Sequence, residues 1–226
     1  MSVIKFNNQS FHVDLVDEVD QSVANEIFKF REYRSAEETI KNAKEVILDI
    51  GAHIGLFAIY TRALNQAVEI FCLEPEPHNF KRLQENVNDN KLENIICEKL
   101  ALAKETGTQN LFLSADSHNH SLLENNSAKT LSVKTVSLAD YLEQRKIKKI
   151  ALLKMDIEGG EMAVIDGLNS DLCKKIKAIL LEYHDSQEKS HLKIETKLRE
   201  LGFSVQSEPS KFDKRFGYIL ARNKRV

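Results

Sequence analysis

The segment "EVILDIGAHIGLF", residues 45–57, joins an apolar run ending at Asp49 to a turn with two glycines four residues apart, followed by a helical apolar period. Gly51 and Gly55 permit close backbone approach where a strand gives way to a helix, and the unpaired N–H groups at that helix's amino end suit an anion. The spacing DxGxxxG lacks the glycines of GxGxxG that let a dinucleotide pyrophosphate lie against such a turn. A smaller anion, such as a carboxylate, fits better. Glu74, in "CLEPEP", follows at the end of the next apolar run, where a carboxylate can accept both hydroxyls of a ribose. Together the turn and Glu74 predict a nucleoside-bearing cofactor.

A second dense stretch is "KMDIEGGEMAVIDGL", in which Asp156, Glu158 and Glu161 crowd the passage from a strand into a helix beginning near Gly160. Glu158 and Glu161 also suit a helix amino end through the macrodipole, which leaves Asp156 as the functional member. In "LLEYHD", Glu182 and His184 are two apart and face one side of a strand. A histidine titrating near neutrality can take a proton while Glu182 holds its tautomer. The oxygen-rich set Asp156, Glu158, Glu182 and His184 would also suit magnesium or manganese, but its spacing matches no recognised metal motif and no metal is assigned. His118 and His120, in "SHNH", are expected to be solvated loop residues.

The elements that must position these residues alternate from residue 45 onward, as parallel βαβ units do. Strands are predicted at "VILDI" (46–50), "VEIFCLE" (68–74), "NIICEKLA" (94–101), "IALLKMD" (150–156) and "AILLEYH" (178–184), several of them apolar nearly throughout. "EPHNFKRLQENVNDN" reads as a helix with a first-turn proline, Pro77, and Phe80, Leu83 and Val87 on one face. Ser35 and Glu38 stand at capping-box spacing ahead of the first of these strands, and the last helix, roughly 187–201, is predicted to stop at Gly202. "FSVQSE" and "FGYILARN" then form an antiparallel pair closing the sheet. Residues 104–137 break the alternation with "TQNLFLS" and "LSVKTVS" around a long polar loop of the kind that forms lids or binding loops. In the first 44 residues, "FHVDLVD" reads as an extra strand, and "FREYRS" places Tyr33 over the cofactor pocket.

The chain of 226 residues is 42% apolar and 29% charged, an ordinary globular composition for one large domain. No run approaches the roughly 18 apolar residues that cross a bilayer, and no secretion signal opens the chain, which is read as complete and cytoplasmic. Cys72, Cys97 and Cys173 suggest neither a disulfide framework nor a metal site and are expected reduced and buried. A net charge of −2 disfavours a nucleic-acid partner; the lysine clusters at 146–149 and 174–177 read as solvated edges.

The ordered set "VILDIGAHIGLFAIY", "CLEPEPHNFKRLQENVNDN", "LALAKETGTQNLFLS", "VKTVSLADYL" and "LLKMDIEGGEMAVIDGL" resembles the FkbM family of class I S-adenosylmethionine-dependent methyltransferases. The resemblance covers about residues 45–222. It implies an α/β Rossmann-like three-layer sandwich, with a seven-stranded, mostly parallel sheet, an antiparallel last strand and an inserted β-hairpin. Residues 1–44 would be an extension packed on a methyltransferase domain, 45–226. The methionine end of the cofactor would lie over the turn of Asp49, Gly51, Ala52, His53 and Gly55, and the ribose on Glu74 beside Pro75. Ala101 and Leu102 would flank the adenine, and Ser121, in "SHNHSL", would lie near cofactor and acceptor. His53 stands where the family usually has asparagine and is expected to shape the pocket, not to perform the chemistry. The implied reaction is O-methylation of a small-molecule or sugar hydroxyl by a monomer or homodimer, with Asp156, His184 and Glu182 as catalytic residues. An RNA methyltransferase, a nicotinamide-dependent oxidoreductase and a non-catalytic cofactor-binding protein are the alternatives.

Overall fold

A computed structural model describes residues 1–113, 121–122, 129–157, 159–184, 190–211 and 214–225, with the backbone alone at 184 and 190. The chain opens with a hairpin of β1 (Ser2–Phe6) and β2 (Gln9–Val13). Next come α1 (Glu18–Ala24), a π-helical turn (Asn25–Lys29), a 3-10 turn (Glu32–Ala36) and α2 (Glu37–Lys41). The alternation predicted from the sequence follows as β3 (Val46–Ile50), α3 (Leu56–Leu64), β4 (Ile70–Leu73), α4 (Pro77–Asp89) and β5 (Ile95–Glu98). Three short strands, β6 (Ala101–Leu102), β7 (Gly107–Phe112) and β8 (Thr130–Val136), form a separate sheet. The chain then runs through α5 (Leu138–Gln144), β9 (Ile150–Met155), α6 (Glu161–Asp166), α7 (Ser170–Cys173) and β10 (Ala178–His184). It ends with α8 (Ser190–Glu200), β11 (Phe203–Pro209) and β12 (Phe216–Asn223).

The main sheet has seven strands in the order β11-β12-β10-β9-β3-β4-β5. Its centre is parallel, and β12 pairs antiparallel with both β10 and β11. The last strand in sequence is therefore inserted between its neighbours, giving a class I methyltransferase-like sheet. Every residue of β4 and β9 is buried, which is why their sequences are apolar on both faces. At α4, Glu76 accepts from the Asn79 N–H at 2.7 Å and Pro77 occupies the first turn, while Leu83 and Val87 are buried.

Three local expectations change. "NIICEKLA" is not one strand: β5 ends at Glu98 and β6 turns away to pair with β8. Ser35 and Glu38 do not form a capping box, because Ser35 lies inside the 3-10 turn and α2 starts at Glu37, whose buried carboxylate instead binds Arg31, Lys41 and the Tyr60 hydroxyl. Cys97 is half-buried, while Cys72 and Cys173 are buried, and all three are free thiols.

The N-terminal segment is bolted to the sheet's helices. Phe6 stacks on Tyr60 of α3 with centroids 4.9 Å apart, and Phe28 meets the same ring edge-on at 5.8 Å. Arg82 of α4 reaches back to the Asp20 carboxylate and to the Asp14 carbonyl at 2.6 Å, with both charged side chains buried. This fixes α1 and the following turns above the carboxyl ends of the parallel strands.

Candidate active site

A cavity of about 530 Å³ lies beyond the carboxyl ends of β3, β4, β9 and β10, where open α/β sheets bind ligands. Its floor is the turn after β3. Gly51 adopts φ +73°, and a Cβ there would stand 1.8 Å from the Asp156 carbonyl oxygen, so the close approach of two strand ends requires glycine. Gly55, at φ +87°, starts α3, and a Cβ there would meet Leu83 of α4 at 2.6 Å. His53 holds φ +49°, a left-handed conformation that asparagine and histidine tolerate better than most residues. That backbone requirement gives a physical reason for either residue at this position.

The turn also holds Glu74. Its two oxygens accept from the His53 N–H at 2.8 Å and the Glu76 N–H at 2.9 Å. Burial pushes this carboxyl up to about 7, against the pull of both backbone donors. Leu73, Leu100, Ala101 and Leu102 supply apolar lining beside it.

At the other side stands Lys154, which the sequence reading passed over although a lysine inside "IALLKMD" was its signal. It is 4% exposed; its ammonium lies 3.2 Å from Asp49 and 3.7 Å from Asp156 and donates to the Gly51 carbonyl at 3.0 Å. Burial opposes that charge, but Asp49 and Asp156 prevail and raise the lysine's pKa, so it stays protonated. Burial raises the carboxyl of Asp49, which Lys154 counteracts, and neither of its oxygens has a well-formed hydrogen bond among the described residues. Tyr33 also lines the cavity, packed edge-on to Phe57 at 5.2 Å and Tyr218 at 5.1 Å. Burial, then the charges of Asp156 and Glu182, hold its hydroxyl far above its usual range.

The cavity thus brings together Gly51, Ala52, His53, Glu74, Pro75, Ala101, Leu102, Asp156 and Glu182. Asp49 and Gly55 lie behind the lining, one as the ion-pair partner of Lys154 and the other as a packing point. Ser121 is buried and bridges to Phe112 through its backbone, and its neighbour Leu122 is the one that lines the cavity. Glu161 is likewise structural: it is buried and accepts from the Ile157 N–H at 2.9 Å. His184 ends β10 opposite Phe216, with its side chain outside the described residues, as are Glu158, His118, His120 and most of the 114–130 loop. Among the described residues, no three His, Cys, Asp or Glu side chains are grouped to hold a metal ion, and no helix is long and apolar enough to cross a membrane.

Comparison with known proteins identifies the family. The Methyltransferase FkbM domain matches residues 49–205. The hexuronic acid methyltransferase AglP of Haloferax volcanii is 26% identical over 184 residues, 76% of this chain and 74% of that protein. The 31-O-demethyl-FK506 methyltransferase FkbM of Streptomyces tacrolimicus is 23% identical over 172 residues, 62% and 66% of the two chains. The crystal structure of an FkbM methyltransferase from Methylobacillus flagellatus superposes with a TM-score of 0.56 at 14% identity, covering 78% of this chain and 43% of that one, which bears on the fold alone. With the domain match spanning most of the chain, this protein belongs to the FkbM methyltransferase family.

Proposed function

We propose that the protein transfers a methyl group from S-adenosylmethionine to a hydroxyl oxygen of a small molecule or sugar. The observation that carries this reading is Glu74, a buried carboxylate fixed by two backbone donors at the end of β4 and facing a cavity of about 530 Å³. Such a group suits the two hydroxyls of a ribose. The names of the relatives, a hexuronic acid methyltransferase and a 31-O-demethyl-FK506 methyltransferase, favour a hydroxyl acceptor. The missing GxGxxG disfavours the nicotinamide alternative, and the net charge of −2 disfavours RNA.

When bound, the cofactor supplies an electrophilic methyl group on sulfur. The chain's own residues do the rest. Gly51, Ala52 and His53 seat the methionine end, Glu74 the ribose, and Ala101 and Leu102 the adenine. Lys154 pins the Gly51 carbonyl and steadies Asp156, so the turn and the second carboxylate share one charged anchor. Asp156 accepts a hydrogen bond from the acceptor hydroxyl and aligns its oxygen for in-line attack. We assign removal of the acceptor hydroxyl's proton to His184, with Glu182, two residues away in β10, as the group that would hold its tautomer. Residues 1–44 serve as an extension whose helical part covers the pocket.

Calorimetry with S-adenosylmethionine and S-adenosylhomocysteine tests the cofactor half, with micromolar binding expected. Binding of neither sinks the proposal. Incubation of cell extract with the protein and methyl-labelled cofactor, followed by product-ion mass spectrometry, should place the label on a hydroxyl oxygen.

A further inference from the structure

Tyr33 belongs to the 3-10 turn Glu32–Ala36 and lines the cavity from the N-terminal segment. It is 4% exposed, and Phe57 of α3 and Tyr218 of β12 hold its ring edge-on from two sides. The ring is thus fixed, yet the hydroxyl makes no hydrogen bond among the described residues. Buried phenol hydroxyls usually find a partner, so one left open in a cavity wall marks the place of a ligand atom. It meets that atom as a donor, because burial and then the charges of Asp156 and Glu182 keep it protonated. Tyr218 stands opposite Glu182 across the β10–β12 pair, which puts Tyr33 over the β10 side of the sheet. Glu74 ends β4, three strand positions from β10, about 14 Å at ordinary strand spacing. The hydroxyl therefore belongs to the Asp156 end of the cavity, away from the carboxylate assigned to the ribose.

We propose that the Tyr33 hydroxyl donates a hydrogen bond to an oxygen on the carbon next to the methylated hydroxyl, so that the acceptor is a vicinal diol or a hydroxy ether, as on a sugar ring. The inference rests on the methyltransferase reading of the same cavity and names its substrate class. Two groups of opposite hydrogen-bonding sense stand at this end. The Asp156 carboxylate, beside the Lys154 ammonium, accepts from the hydroxyl that is methylated, and the Tyr33 phenol donates to the oxygen alongside. An acceptor with a lone hydroxyl satisfies Asp156 and leaves the phenol without a partner, and a site built to bond a substrate oxygen rejects the analogue that lacks it. An ammonium in that place has no lone pair to accept and is rejected on the same ground. Anchoring two adjacent carbons also fixes the direction of the acceptor oxygen as well as its position, which in-line attack requires.

The test compares the full chain with its Tyr33→Phe variant, which keeps the ring and removes only the hydroxyl. Each is incubated with methyl-labelled S-adenosylmethionine and cell extract at limiting acceptor, where the rate reads kcat/KM, and the product is read by product-ion mass spectrometry. The label should sit on a hydroxyl whose neighbouring carbon carries oxygen. Tyr33→Phe should slow labelling about tenfold, with S-adenosylhomocysteine affinity by calorimetry and the midpoint of urea unfolding unchanged. With the acceptor purified, the loss should fall on KM, since the hydrogen bond is made before methyl transfer as well as during it. A label flanked only by carbon or nitrogen, an unchanged rate in the variant, a loss confined to kcat, or no labelling by a chain that binds S-adenosylhomocysteine would overturn the acceptor class while leaving the cofactor reading intact. A matching loss of S-adenosylhomocysteine affinity in the variant would assign the hydroxyl to the cofactor and overturn it as well. Failure of S-adenosylhomocysteine to bind the unaltered protein would overturn the methyltransferase reading itself.

Discussion

Glu74 carries a pH dependence whose sign follows from its burial. Its pKa rises from 4.5 to about 7 on folding, so the neutral form is favoured in the folded protein. The stabilisation from that proton, about 3 kcal/mol, is fully present below pH 4.5 and lost as pH rises through about 7. Ribose binding draws on the ionised form, so S-adenosylhomocysteine affinity should weaken by up to about tenfold per pH unit below 7. Calorimetry from pH 5 to 8 should show this slope, and Glu74→Gln should flatten it while weakening binding throughout. Lys154 gives a second test. Lys154→Met leaves the buried Asp49 uncompensated and should cost about 3–5 kcal/mol in a urea melt. Adding Asp49→Asn should restore most of that loss, because what hurts is the orphaned charge and not the missing lysine; no recovery in the double variant would refute the pairing.

At the level of elements, the parallel strands were legible because helices cover both faces, so "VILDI" and "IALLKMD" are apolar almost without break. Gly51 and Glu74 were legible for a related reason, since strand ends are where an α/β sheet binds ligands and their residue types are restrictive. Lys154 was not, because its place depends on register: β3 pairs with β9 so that Asp49 stands opposite Lys154, and no local pattern within either strand announces that partnership. That α1 reaches the cavity was not legible for a similar reason, its spacing being that of any solvated helix face. What brings that face over the sheet is the buried Asp20–Arg82 pair, 62 residues apart in the chain. Asp20→Ala should therefore cost about 3–5 kcal/mol, with the midpoint of urea unfolding as the readout. It should also weaken cofactor binding, whereas removing the exposed Lys81–Glu85 pair on α4, the helix of Arg82, should change stability by less than about 1 kcal/mol and leave binding alone.

For the whole molecule, the cavity is built from segments far apart in sequence: the turns before residue 34, the ends of five sheet strands, and Leu111 and Leu122 of the inserted hairpin region. A ligand that fills it contacts all of them at once, so binding should couple their local stabilities. If S-adenosylhomocysteine binds only the folded chain, a concentration of 100 times its Kd adds about 2.7 kcal/mol, which for a protein of 226 residues should raise Tm by about 5–10 °C. The distribution of that gain distinguishes a floor-only site from an enclosed one. A ligand resting on the glycine turn alone would slow amide exchange near 51–55 and 73–76 and leave the N-terminal turns unchanged. With Tyr33 buried in the lining and α1 held down by Arg82, exchange should slow across residues 18–36 as well, in step with the strand-end turns. Asp20→Ala should uncouple the two regions, keeping part of the protection at the glycine turn and losing it over 18–36. Protection confined to the glycine turn in the unaltered protein would mean that the N-terminal segment is a wall the ligand does not touch.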